Sequence, residues 1–241
     1  MSRRRVVITG MGCVSPVGNT VDEAWESVKN GKSGIGPITL FDSSALKVHI
    51  AGEVKNFDVE RYGIDSRAVR KMARFSKFLL AATAQALTDS GYTGEPLKSE
   101  KAGIMVGCCI GGMDAMEAGF AKYFDPANGP DHLPPLTTPM MISNEAAANV
   151  SIYYGLQGLS WTLNTACASG TDAIGLAAEL IRSGRLDVAI SGGTEAAIDG
   201  FSIGTFTALQ ALSTKRNDEP TKASRPFDKD RDGFILSEGS A

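Results

Sequence analysis

SWTLNTACASGTDAIGLAAELIR, residues 160–182, decides the fold class. Ser160 to Asn164 alternates polar and apolar residues like a strand, and Ala168 to Arg182 has the length and composition of a helix. Between them, small residues flank a single cysteine, Cys167. A strand that ends on small residues, presents one thiol and then enters a helix has the geometry of a nucleophile elbow. The helix start offers unpaired amide N–H groups and the positive end of a dipole, which favour a thiolate and can bind a developing oxyanion. The helix carries apolar residues on nearly every side, among them Ala173, Ile174, Leu176, Ala177, Leu180 and Ile181. Such a helix belongs in an interior, which predicts more than three layers of secondary structure.

Working outward, Ala102–Cys108 is a predicted strand running into Gly111-Gly112, and Asp187–Gly192 is another, closed by Gly192-Gly193. Arg5–Gly10 is a short β-branched run followed by a turn through Ser15-Pro16 and a helix over Asp22–Lys29. Between Met72 and Ser90, Phe75, Leu79, Ala82, Ala86 and Leu87 recur at helical spacing, with Gly91 as the stop. Glu145–Tyr153 is a further helix. Asp125–Pro139 holds Pro126, Pro130, Pro134, Pro135 and Pro139, which predicts an extended loop with no regular helix. Strands alternating with helices along the whole chain predict an α/β layered fold with a largely parallel sheet.

Composition narrows the function. At 241 residues, 43% hydrophobic and 21% charged, the chain is an ordinary globular one. A formal net charge of −3 lacks the basic footprint of a nucleic-acid binder, and Arg3, Arg4 and Arg5 read as a solvated edge. Apolar runs break well before the roughly 18 residues of a membrane span, and Val6–Gly10 is too short for a signal-peptide core, so a cytoplasmic location away from membranes is expected. Cys13, Cys108, Cys109 and Cys167 show no CxxC spacing, so neither a disulfide framework nor a thiolate zinc site is indicated; the first three are expected to pack as core. Thr9-Gly10-Met11-Gly12 lacks the third glycine of a dinucleotide fingerprint. Asp228 to Gly233 opens like a calcium loop, but its twelfth position is Gly239 and Pro226 breaks the incoming helix. No metal and no cofactor is expected.

Several segments together resemble the β-ketoacyl-[acyl carrier protein] synthase II (condensing enzyme) family of the thiolase superfamily. The matching motifs are VVITGMGCVSPVGNT at 6–20, TAC at 165–167, ISGGTEAA at 190–197, ALS at 211–213 and ASRPFDKDRDGFILSEG at 223–239. The resemblance implies a thiolase-like fold of five alternating layers, αβαβα, built from two similar halves, of which this chain is expected to supply the amino-terminal half as one domain over 1–241. It implies fatty-acid chain elongation: Cys167 accepts an acyl chain from acyl carrier protein, and malonyl carrier protein then condenses with it by decarboxylation. It implies a homodimer, an acyl pocket lined by Ile110 and Phe206, and carrier-protein docking by Arg67, Arg70 and Lys71. It also makes the acidic run at 228–232 a structural turn.

The chain departs from the family pattern at Asp131 and His132, where relatives carry a basic pair, at Gln210 in place of arginine, and at Ser240 in place of alanine. The family's two catalytic histidines, its lysine and its glycine-rich loop belong to the second half; His49 and His132 do not match the histidine motifs. Condensation by this chain alone is therefore not expected, and uncovered apolar faces are. Three alternatives stand beside this one. A non-catalytic chain-length partner subunit would lack Cys167, a biosynthetic thiolase would carry a different cysteine signature, and a structural or regulatory fragment would dimerise through the strand at 160–164 without chemistry.

Overall fold

In the computed structural model, residues 4–92, 98–127 and 129–241 are described. In chain order they form α1 (Val21–Lys29), β1 (Gly36–Pro37), β2 (Ile50–Ala51), α2 (Arg74–Asp89), β3 (Ala102–Gly107), α3 (Met113–Tyr123), α4 (Thr137–Met141) and α5 (Glu145–Tyr154). Then come β4 (Ser160–Leu163), α6 (Ser169–Arg182), β5 (Val188–Glu195), α7 (Gly200–Ala208) and β6 (Gly239–Ser240). The main sheet runs β4-β3-β5-β6, with β3 parallel to both neighbours and β6 antiparallel to β5. β1 and β2 form a separate antiparallel pair.

β3 is the centre, buried at all six positions. Its alternate residues serve two cores, as the pleat requires. Ile104 and Val106 pack with Phe75, Phe78 and Leu79 of α2 and Val150 of α5. Met105 faces the other way, onto Ala173, Ala177 and Leu180 of α6. A continuously apolar strand covered by helices on both faces is what parallel pairing demands. A third, smaller cluster gathers Val48 and Ile50 under Ile203 of α7 and Leu212.

Most predicted elements are present, and the exceptions have physical causes. Arg5–Gly10 is extended but joins no sheet ladder among the described residues, and Val7 and Ile8 stand 65% and 81% exposed. The following residues lie flat on α2 instead: a Cβ on Gly10 or Gly12 would collide with the carbonyls of Ala86 and Ala82. Side chains of α2 replace a strand partner there, with Asp89 Oδ2 accepting from Met11 N (2.9 Å) and Gln85 Nε2 donating to Cys13 O (2.9 Å). The glycines at 10 and 12 thus serve helix contact. Ladder pairing starts only at Val14, which exchanges two hydrogen bonds with Ser240.

The proline-rich loop corrects the expectation of no helix, since it holds a 3₁₀ turn at Pro130–His132 and the short α4. Pro139 is the third residue of α4, where an N–H has no intrahelical acceptor, so the proline loses nothing there. α6 is also less enclosed than its composition predicts. Ala173, Ala177 and Leu180 are buried, but Ile174 is 54% exposed. Burial on all sides needs a further layer, and the described residues supply three: α2 with α5, the sheet, and α6. Arg3 lies outside the described residues, while Arg4 pairs with Asp187 at 2.7 Å on an exposed edge.

α2 begins without a side-chain cap of its own, and Glu145 of α5 supplies one from a distance, accepting from Ala73 N at 3.0 Å and from Asn149 Nδ2 at 2.9 Å. The other carboxyl oxygen of Glu145 is buried with no hydrogen-bond partner. Burial, aided by the nearby charge of Asp114 and opposed by these hydrogen bonds, pushes the carboxyl up to about 7. A carboxyl raised in the folded state binds a proton that the unfolded chain has released, so its contribution is complete below about pH 4.5 and is lost as pH rises through 7. Urea unfolding should therefore show Glu145→Gln gaining on the parent chain by about 2–3 kcal/mol between pH 5 and pH 8. Equal pH dependence of the two proteins would refute the assignment.

Candidate active site

β4 ends at Leu163, and a five-residue turn carries the chain into α6 at Ser169. Ala166 takes a left-handed backbone, φ +52°, which costs a non-glycine residue about 1 kcal/mol. Ser169 holds that turn. Its buried hydroxyl donates to Ala166 O (2.6 Å) and accepts from Thr165 N (2.9 Å). Thr165 Oγ1 in turn donates to Asp172 Oδ2 (2.6 Å), one turn into the helix. Cys167 sits at the tip, exposed, two residues before α6.

Glycines bring the helix start against the sheet. A Cβ on Gly107, at the end of β3, would run into the backbone of Ser169 and Gly170, and Gly170 and Gly193 face one another with no side chain between. The thiol therefore stands over the carboxyl ends of the parallel strands, where α/β sheets place their ligands.

The loop after β3 approaches the same place. Asn164 Nδ2 donates to Cys109 O at 2.8 Å, which links the loop to the residues preceding Cys167. Glu195, the last residue of β5, accepts from the N–H groups of Cys109 (2.8 Å), Ile110 (2.9 Å) and Gly111 (3.0 Å). Ile110 is thus half-buried in a loop tied to both neighbouring strands. Phe206 belongs to the smaller cluster on α7, edge-on to Phe234 at 5.6 Å. Arg67, Arg70 and Lys71 are exposed in the turns before α2, Arg67 pairing with Asp65 at 3.1 Å.

The remaining cysteines differ from Cys167 in setting. Cys108 is buried, and burial, then the charge of Glu195, pushes its thiol far above the ordinary range. Burial raises half-buried Cys13 as well. Cys109 corrects the expectation of a core residue: it is exposed, because it falls beyond the end of β3, and its thiol is raised by desolvation and by the charges of Glu195 and Cys167. Ser240, the departure at the last strand, donates to Gly193 O at 2.9 Å, so its hydroxyl is satisfied. Asp232 confirms a structural turn at the acidic run by accepting from Ser213 Oγ, Thr214 N and Lys215 N. Among the described residues no group of His, Cys, Asp or Glu is arranged to hold a metal ion, and no helix is long and apolar enough to cross a membrane.

The sequence pattern singles out Cys167 but not Asn164, Ser169, Asp172 and Glu195, whose side chains hold the turn and the neighbouring loop. Serine two places after the thiol and aspartate five places after it are the only local signal of the clamp. Glu195 gives none, because its partners lie more than eighty residues away in sequence.

With iodoacetamide under native conditions, Cys167 should be alkylated about tenfold faster than Cys13 or Cys108, and ahead of Cys109, as read by peptide mapping. Even labelling of all four thiols would count against an exposed, preset elbow. Gly107→Ala should destabilise the chain by about 2 kcal/mol or more in urea unfolding, because the added methyl meets helix backbone that cannot yield. A change under 0.5 kcal/mol, on the scale of ordinary surface substitutions, would refute the contact.

The family model described as "Beta-ketoacyl synthase, N-terminal domain" matches residues 3–241. The 3-oxoacyl-[acyl-carrier-protein] synthase 2 of Vibrio cholerae is 44% identical over 240 residues, which cover 100% of this chain and 57% of the relative. The ishigamide ketosynthase/chain length factor superposes with a TM-score of 0.88 at 29% identity, over 99% of this chain and 58% of that one. A type II polyketide ketosynthase, in complex with its acyl carrier protein and bound to the hexaketide, gives a TM-score of 0.85 at 30% identity, over 99% of this chain and 57% of that one. The chain thus spans a little over half the length of the relatives it matches. The family model covers nearly the whole chain, the fold matches those of ketosynthases over almost its full length, and the chain belongs to the β-ketoacyl synthase family, matching that family's amino-terminal domain.

Proposed function

We propose that the chain, as one domain over 1–241, carries the acyl-accepting half-reaction of a 3-oxoacyl-[acyl carrier protein] synthase in fatty-acid elongation. The observation that carries this is the exposed Cys167 on a clamped, left-handed turn between a parallel strand and α6. Cys167 Sγ attacks the thioester carbonyl of acyl carrier protein, a tetrahedral oxyanion forms, and its collapse expels the carrier thiol and leaves the acyl chain on Cys167. The Cys167 N–H helps hold the oxyanion. Ile110 and Phe206 line the acyl pocket, and Arg67, Arg70 and Lys71 meet the acidic carrier. The similar ketosynthase held in complex with its carrier protein supports that partner.

In the whole enzyme a decarboxylating Claisen condensation with malonyl carrier protein follows. His49, hydrogen-bonded to Ser43 Oγ at 3.3 Å beside β2, is given no part in it. The proposal includes a cytoplasmic homodimer joined along β4, an edge strand of the sheet next to the exposed Ile152, Tyr153 and Trp161. Cys167 favours the catalytic subunit over a chain-length partner.

Incubation with acyl carrier protein bearing a fatty chain should add one acyl mass at Cys167 and none in Cys167→Ala. Malonyl carrier protein added afterwards should yield no ketoacyl product. Failure of acylation would overturn the acyl-accepting step, and product above the Cys167→Ala background would overturn the absence of condensation by this chain alone.

A further inference from the structure

We propose that Glu195 is a positioning residue which fixes Ile110 in the loop tied to the elbow of Cys167 and so sets how long a chain the thiol accepts. The carboxylate fills a concavity made by three successive backbone amides. Oε2 accepts from Cys109 and Ile110, and Oε1 accepts from Gly111 and faces the Cys108 thiol at 3.7 Å. Backbone amides that converge in this way bind anions.

Backbone and the elbow hold the loop as well. A Cβ on Gly111 would stand 2.9 Å from Met141 O, so the loop rests directly on the segment entering α5. Asn164, three residues before Cys167, grips Cys109 O. The position of Ile110 is therefore set by two side chains, one from β5 and one from the elbow strand. Glu195 carries the larger share, because charge-assisted hydrogen bonds are about twice as strong as neutral ones. Glutamine in its place keeps one acceptor and turns an NH₂ group toward an N–H donor. The loop would then be released on one side while the sheet stays intact.

The acyl-length consequence rests on the function proposed above, but the anchor does not, and the experiment separates them. Alkylation of Cys167 is timed with iodoacetamide and with an iodoacetamide bearing a long saturated tail, in the parent chain, Glu195→Gln and Ile110→Ala. The long-to-short rate ratio, taken within each variant so that a change in thiol reactivity cancels, should shift about tenfold in both variants and in the same direction. A ratio moved by Ile110→Ala but not by Glu195→Gln overturns the anchor. A ratio moved by neither overturns the placement of Ile110. If Glu195→Gln does not fold, hydrogen exchange in the parent chain decides: protected amides at 109–111 support the anchor, and exchange at unprotected loop rates overturns it. A shifted ratio in a chain that acyl carrier protein fails to acylate upholds the anchor and sinks the carrier function alone.

Discussion

Close contact between backbone and backbone, where Gly107, Gly170 and Gly193 meet, is the constraint on which the rest depends. Helices ordinarily rest on sheets through side chains, with axes about 10 Å from the strands. Here the first turn of α6 touches the ends of β3 and β5 directly, because no Cβ intervenes. The approach draws the preceding turn tight, and tightness explains the left-handed Ala166 and the hydroxyl of Ser169 that holds it. Strain at one residue is thus sustained by packing at three others. The exposed thiol inherits a defined position although nothing covers it.

Carboxylates do much of the organising elsewhere, always by accepting from backbone amides that no ladder serves. Glu195 does this for the loop after β3, and Glu145 for the start of α2. Glu53 accepts from the N–H groups of Thr39 and Leu40. Glu238, whose side chain is fully buried, accepts from Val54 N and from a two-pronged Arg74, which also lies over the ring of Phe78 at 4.8 Å. Segments too irregular for a sheet therefore keep their donors satisfied, as buried amides must be.

The parts of this architecture that a linear reading discloses are those governed by neighbours in sequence. β3, β4, α5 and α6 declare themselves through period and length, and Gly91 through its left-handed stop, φ +75°. Cys167 declares itself because strand, small residues and helix follow one another without interruption. α3 does not, since it buries only Gly119 and so leaves no apolar stripe to detect. α7 carries a local signal in Asp199, which caps it by accepting from Ser202 N at 2.7 Å. The segment at 5–10 has the residues of a strand, yet a strand exists only with a partner, and partnership is a property of the whole chain. The same holds for Glu195, whose function is decided by a register between β3 and β5 that no local pattern encodes.

Val14 and Ser240, joined by a pair of hydrogen bonds, are more than two hundred residues apart in sequence. Closing so wide a circuit is entropically slow compared with assembling the helices and parallel strands between them. During synthesis the segment around Val14 leaves the ribosome long before Ser240, and its ladder can form only once Ser240 has followed. That rung of the sheet is accordingly laid down late, and until then the residues around Val14 are available to chaperones rather than to the fold.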